Sequence, residues 1–172
     1  MKDGFTLVEV LVTALILTFI IAGIFAVLNV ADISWHTDMG LVELQQQARL
    51  AMEVMIREIR QSGRLSYNIA VDANGTGITF SIPNILNIRY YLDTTSHQII
   101  RQQPVGTGTS KILANDIDSL SFCWWDGVDC CDQILEDCSS LYVLKIQLRA
   151  TTTVRQRPLA FSLIEKVRLR NE

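Results

Sequence analysis

The sequence predicts an α+β protein, in which one long N-terminal helix precedes an antiparallel β-sheet domain. An apolar stretch over residues 5–28 is followed by an amphipathic stretch over residues 29–62, and both are typical of a helix. From residue 64 onward the hydrophobic period changes to two, which is typical of strands. The chain has 172 residues, so length favours one globular domain, residues 63–172, behind one anchor.

The first half of the helix has the length and composition of a membrane span. Residues 5–28 would form a helix about 36 Å long, and the hydrocarbon core of a bilayer is about 30 Å thick. One side chain in this stretch can ionise, and it is Glu9. A carboxylate at that position costs a few kcal/mol unless a cation neutralises it. Glu9 is therefore expected to have a partner.

The second half of the helix carries one apolar face that is expected to pack on the domain. The apolar residues recur at steps of three and four, as on one face of a helix: Leu41, Leu44, Ala48, Met52, Met55 and Ile59. Gly40 should weaken the helix locally by about 1 kcal/mol relative to Ala. Ser62 and Gly63 are the expected C-terminal stop.

The remaining elements are strands separated by turns. Asn74-Gly75 has turn chemistry, and residues 93–97 should connect two strands of a hairpin. Residues 104–110 have the composition of a Gly/Thr loop. In the strand over residues 117–125 the expected inward residues are Ile117, Leu120, Phe122 and Trp124. The other expected strands are residues 77–82, 87–92, 98–101, 142–151 and about 159–169.

Charge predicts the orientation of the anchor. Lys2 precedes the apolar stretch, and no Lys or Arg follows it until Arg49. By the positive-inside rule, the N-terminus is cytoplasmic and the C-terminal domain is exported. The net charge is −3, with no basic run, so composition gives no general reason to expect nucleic acid as a partner.

The N-terminal residues MKDG followed by FTLVEV resemble the processing signal of type IV prepilins and type II secretion pseudopilins. The resemblance implies a leader of residues 1–4, cleavage after Gly4 by a prepilin peptidase, and N-methylation of the new terminal Phe5. It also implies that Glu9 pairs with an N-terminal amine, usually of a neighbouring subunit, during filament assembly. Pairing would offset much of the cost of burying both charges. The alternatives are an ordinary signal anchor and a secretory signal peptide, whose apolar core would be shorter.

Several later segments are similar to the J-type minor pseudopilins and the W-type minor pilins. This resemblance implies a minor subunit near the filament tip, with an inner-membrane anchor and a periplasmic domain. The implied partners are other minor subunits, the major pilin, the prepilin peptidase and the inner-membrane assembly platform. The segments that carry it are residues 52–63, 78–80, 88–92, 100–101, 113–117, 120–122 and 167–171.

All four cysteines lie in one stretch, Cys123, Cys130, Cys131 and Cys138. Because the exported side is oxidising, disulfides are expected. Four cysteines allow three connectivities: two consecutive small loops, two crossed loops, or a Cys123–Cys138 clasp around a vicinal bond. The spacing does not choose among them. Zinc is disfavoured because no pair has a gap of two to four residues and no His is near.

The same stretch is acidic and contains two adjacent tryptophans. Asp126, Asp129 and Asp132 are weak Ca²⁺ candidates, although the EF-hand spacing is absent and a solvated loop is favoured. Trp124 and Trp125 should face opposite sides of a strand. One is expected in the core, and the other is expected to mark a contact surface.

No pattern in the sequence indicates catalysis or a cofactor. The two histidines, His36 and His97, have no nearby Ser or Cys that would be an activated nucleophile, and no Gly-rich phosphate loop follows a strand. Three hypotheses remain. The chain is a minor pilin or pseudopilin; it is a tip module that binds a surface, DNA or a secreted substrate; or it is a simple membrane-anchored periplasmic protein. A retractable pilus, a secretion pseudopilus and a DNA-uptake machine all stay open.

Overall fold

The computed structural model describes residues 6–62, 69–82, 85–106, 108–131 and 143–169. Within these ranges the chain is an α+β protein, as the sequence predicts. It has one helix, α1 (Leu7–Gln61), and antiparallel strands arranged in two sheets. The strands are β1 (Ile69–Val71), β2 (Gly77–Ile82), β3 (Ile85–Asp93), β4 (Gln98–Gln103), β5 (Thr109–Ala114), β6 (Ile117–Trp124), β7 (Val143–Val154) and β8 (Arg157–Arg168).

The chain forms two compact units, Met1–Met39 and Gly40–Glu172. In the first unit every described side chain from residue 6 to residue 32 is exposed. The helix is long and apolar enough to cross a membrane, by length and composition. Its threonines satisfy their hydroxyls within the helix: Thr13 donates to the carbonyl of Val10, and Thr18 to that of Ala14. These hydrogen bonds satisfy hydroxyl groups that would have no partner in lipid.

The second unit contains α1 from Gly40 onward and both sheets. The helical stripe is confirmed, because Leu44, Ala48, Met52, Met55 and Ile59 are all buried. Leu41 is only half-buried, and Ala51 joins the core although it was not expected there. The helix ends at Gln61, next to the expected stop, and Gly63 lies outside the described residues.

Gly40 sits in α1 where the β7–β8 hairpin comes close. A Cβ added at Gly40 would lie 2.7 Å from Cγ2 of Val154 and 3.6 Å from Cδ1 of Leu159. The first distance is shorter than a van der Waals contact, so a larger residue would crowd the hairpin. Glycine at this position therefore allows close packing of the helix on the hairpin, although it has a lower helix propensity than Ala.

The first sheet has the strand order β1-β2-β3-β4-β5. Strand β2 agrees with the expected range, and β3 and β4 form the expected hairpin across residues 94–97. Gly75 has φ +71°, as the predicted turn requires. The expected loop over residues 104–110 is partly wrong, because β5 begins at Thr109. Strand β1 was also missed.

The second sheet has the strand order β6-β7-β8. Ile117, Leu120 and Phe122 are buried as expected, and Trp124 is partly buried against the core. The uneven step from Ile117 to Leu120 has a structural cause. The register between β6 and β7 shifts between Ile117 and Ser119, which is a bulge that returns the following residues to the inward face.

Candidate functional site

The helix that carries Glu9 begins with a side-chain cap. Leu7 is the first residue of α1, and the backbone N–H of Glu9 donates to the Thr6 hydroxyl oxygen at 3.3 Å. It also donates to the Thr6 carbonyl at 3.1 Å. Thr6 is thus the N-cap and Glu9 the third helical residue, the spacing of a capping box. The Glu9 carboxylate stands where the helix dipole favours negative charge.

Glu9 also stands within an apolar surface. It is the only ionisable residue between Thr6 and Asp32, and its apolar neighbours Val8 and Val10 are 67% and 57% exposed. Among the described residues no side chain forms an ion pair with it. An exposed apolar surface of this kind suits a bilayer or packing against other helices, and a cation that paired with Glu9 would come from outside the described part of the chain. Gly4 and Phe5, the expected cleavage and methylation site, lie outside the described residues.

The cysteine stretch contains a disulfide. Cys123 and Cys130 are bonded, and Cys131 is also disulfide-bonded. The sequence leaves three connectivities open. Only the connectivity with two consecutive small loops contains a Cys123–Cys130 bond. The partner expected for Cys131 is then Cys138, which lies outside the described residues.

Peptide mapping without reductant should find Cys131 joined to Cys138 and no free thiol in protein from its native compartment. The Cys131–Cys138 bond would close a small local loop. Changing Cys131 and Cys138 to Ser should therefore loosen this loop without unfolding the sheets, and should lower the free energy of unfolding by about 2–3 kcal/mol. Thermal unfolding of the double variant measures that cost. Four alkylatable thiols in the native protein would contradict the disulfide assignment.

One acidic residue of this loop, Asp126, bonds to the chain itself. One carboxylate oxygen of Asp126 accepts the N–H groups of Val128 and Asp129, each at 2.7 Å. These two bonds lower the pKa of Asp126 below its ordinary value. Among the described residues no group of three or more His, Cys, Asp or Glu side chains is placed to hold a metal ion. Of the Ca²⁺ candidates, Asp132 lies outside the described residues.

Trp124 is the last residue of β6 and Trp125 follows it, and the two side chains lie on opposite faces of the second sheet. Trp124 packs partly against the core. Trp125 is half-buried on the other face, where the ammonium groups of Lys145 and Lys166 lie 4.5 Å and 3.9 Å from its ring centroid. The expectation of a core tryptophan beside a surface tryptophan agrees with this arrangement, but the two lysines over the ring were not foreseen.

A shallow pocket of about 280 Å³ lies beside the disulfide. Asp72, Asn74 and Gly75 of the β1–β2 turn form one side of it, and Cys123 and Cys130 belong to its lining. Its polar groups are already engaged: Asp72 pairs with Arg89 at 2.8 Å, and Asn74 accepts the N–H of Thr76. The pocket therefore presents no set of free groups that points to a ligand.

A half-buried polar cluster, which sequence reasoning missed, joins α1 to the first sheet. Glu58 accepts a hydrogen bond from the Tyr90 hydroxyl at 2.5 Å and from Nε of Arg101 at 3.0 Å. Arg101 also donates to Gln103. The available signal was that Glu58 flanks the buried stripe next to Ile59, where a carboxylate needs a partner. The cluster fixes the helix to β3 and β4, since its charged hydrogen bonds are short and largely shielded from water.

The cluster also predicts a loss of stability in alkali. Burial, and then Glu58, raise the pKa of Tyr90 above its ordinary value of 10.0. The folded state therefore keeps a proton that the unfolded state releases. The resulting stability is fully present below pH 10 and should fall by about 1.4 kcal/mol per pH unit above it. Denaturant unfolding at several alkaline pH values should lose this slope in Tyr90→Phe and keep it in Tyr91→Phe.

Comparison with known families finds a match at the N-terminus. Residues 1–25 match the prokaryotic N-terminal methylation motif. The match supports the prepilin-type family and includes Gly4, Phe5 and Glu9, but it covers only the N-terminal part of the 172 residues. The J-type and W-type resemblances are not confirmed by it. No curated protein matches the chain.

Proposed function

We propose that the chain is a minor subunit of a type IV pilus or a type II secretion pseudopilus, positioned near the filament tip. The observation that carries the proposal is the methylation motif at the head of an exposed apolar helix with one carboxylate. The motif supports a pilin-like protein. The minor role and the tip position rest on the resemblance of the later segments to J-type and W-type subunits.

In this proposal residues 1–4 are the leader, 5–28 the membrane and assembly segment, 29–62 the amphipathic half of the helix, and 63–172 the periplasmic domain. Glu9 pairs with the amine of Phe5, either its own or that of a neighbouring subunit. The match to a structural-subunit motif supports a role in assembly rather than catalysis. The partners are other pilins, the prepilin peptidase and the inner-membrane platform.

Gly4→Val should abolish processing. The branched side chain would crowd a peptidase pocket that accepts Gly, so the variant should stay in the membrane as the longer precursor. Gel mobility and intact mass, with the prepilin peptidase co-expressed, measure the fraction cleaved. Thr6→Ser, which keeps the N-cap hydroxyl, is the matched control and should be cleaved normally. Cleavage of Gly4→Val at the wild-type rate would contradict the proposed processing site.

A second candidate function is recognition of another molecule by the tip domain. Trp125 with its two lysines favours this candidate, because it is a half-exposed aromatic on the outer face of the second sheet. Loss of a binding activity on Trp125→Ala, with assembly unchanged, would separate recognition from the filament role.

A further inference from the structure

The outer edge of β8 is a long backbone edge without a partner among the described strands. β8 is the last strand of the second sheet and pairs with β7 from Val143↔Arg168 to Val154↔Arg157 with no bulge. In a regular antiparallel strand about half of the residues direct their N–H and C=O groups away from the neighbour. From Ala160 to Arg168 the outer edge of β8 therefore offers a regular row of donors and acceptors, while Pro158, near the start of the strand, has no N–H to donate. Such edges are usually shortened, bulged, covered or protected by Pro and charged side chains.

The other three edge strands do not offer this. β1 has 3 residues and β5 has 6, and the register between β4 and β5 shifts at Ile99/Ile100. The edge of β6 is engaged, since the N–H of Phe122 donates to the carbonyl of Gly75 at 2.8 Å. β8, with 12 residues, is the long regular edge in the described part of the chain.

The outer face next to this edge is positively charged. Lys145 and Lys166 lie directly opposite each other on β7 and β8, and both ammonium groups contact the Trp125 ring. Arg168 follows on the same face of β8 and is exposed. None of these three cations forms an ion pair with a described residue. Like charges directly opposite across strands are unfavourable, so this face would gain from an added carboxylate.

The inner face of β8 is mostly apolar along the same edge, with one exposed carboxylate, Glu165, between Leu163 and Val167. Phe161 and Leu163 are half-buried and pack against the core, while Val167 is fully buried. A strand added beside β8 would place alternate side chains over these two faces. Its apolar residues would cover Phe161 and Leu163, and its acidic residues would lie opposite Lys166 and Arg168.

We propose that the outer edge of β8 binds an extended segment of a partner protein, in which apolar and acidic residues alternate. A backbone edge that no described strand pairs with selects a polypeptide over a nucleic acid or a polysaccharide, which cannot continue the sheet. The charge of the edge selects an acidic segment and disfavours a second copy, which would bring its own Lys166 and Arg168 to the contact. This proposal goes beyond the filament role and does not depend on it.

The test uses the full-length chain in detergent micelles and a labelled eight-residue peptide of alternating Val and Glu, measured by fluorescence anisotropy at low salt. The peptide should bind, and affinity should fall as salt rises. Two comparison peptides separate the contribution of charge from that of backbone pairing. The first alternates Val and Lys and should not bind. The second keeps every Glu but carries N-methyl groups at alternate backbone nitrogens, so that it cannot pair as a strand, and it should also fail to bind.

Variants of the chain locate the site. The double variant Lys166→Glu, Arg168→Glu should bind the Val–Glu peptide about tenfold or more weakly than the wild type, because cross-strand attraction becomes repulsion. The same double variant should bind the Val–Lys peptide instead. Lys166→Gln should reduce the affinity for the Val–Glu peptide by less. Lys111 is an exposed lysine on the edge strand β5, and Lys111→Glu should leave this affinity unchanged. Unchanged circular dichroism spectra confirm that each variant is folded.

Three results would overturn the proposal. Binding of the N-methylated peptide as tight as that of the parent would leave charge alone as the cause. Binding of the Val–Glu peptide by the double variant as tightly as by the wild type would move the site away from β8. The third is a full-length chain that binds none of the peptides at millimolar concentration, or one that cross-links to itself through β8, which would assign the edge to a second copy.

Discussion

Glu9→Ala should leave the chain cleaved and inserted, yet reduce its co-purification with partner subunits by about tenfold or more. The physical reason is that a charge left unpaired among apolar helices costs a few kcal/mol. In the proposed pairing, the charge that the variant would leave unpaired is the amine of Phe5. The substitution makes the segment more apolar, so insertion should not suffer.

Glu9→Gln separates the two roles that the position could have. Glutamine can fill the third position of a capping box, so the start of α1 should be preserved. It has no charge, so an ion pair with an amine is lost. If both variants assemble poorly, the charge is the cause. If Glu9→Gln assembles like the wild type and only Glu9→Ala fails, helix capping is the cause and the ion-pair role of Glu9 is wrong.

Glu58→Ala should lower the free energy of unfolding by about 2–4 kcal/mol. The Arg101 side chain is only 19% exposed, and it would lose its carboxylate partner while the Tyr90 hydroxyl loses its acceptor. Chemical unfolding of the full-length chain in detergent, followed by near-UV circular dichroism, measures the change. Glu53→Ala, on the exposed side of the same helix, is the matched control and should change stability by less than about 0.5 kcal/mol.

A loss near that of Glu53→Ala would show that the cluster does not hold the helix to the sheet. Glu58→Gln provides a second check. It keeps an acceptor for Tyr90 but removes the charge that Arg101 requires, so its effect should lie between those of the wild type and Glu58→Ala.

The helix was predictable because its two halves each carry a strong pattern. An apolar stretch and a stripe at three- and four-residue steps specify one long helix, and burial of Met52, Met55 and Ile59 agrees with the stripe. The strands with buried alternate residues were found for the same reason. Strand β5 was missed because Thr109, Ser110 and Lys111 are all exposed, so no alternation of apolar and polar residues marks it.

What the sequence did not predict is long-range pairing. A period of two specifies which side chains share a face, but not which strands become neighbours, so the division into two sheets had no sequence signal. The contact between Glu58 and Arg101 joins residues 43 apart, and Lys145 meets Lys166 only because β7 and β8 pair in that register. The cysteine pairing likewise depended on geometry that spacing leaves open.

The filament-subunit interpretation depends most directly on the mature N-terminus. Mass spectrometry of protein purified from the membrane or the filament should find a chain that begins at Phe5 and carries one added methyl group on its terminal nitrogen. A chain that keeps Met1 would be an ordinary signal anchor, and one that begins beyond residue 28 would be a cleaved secretory protein. Either result would contradict the interpretation.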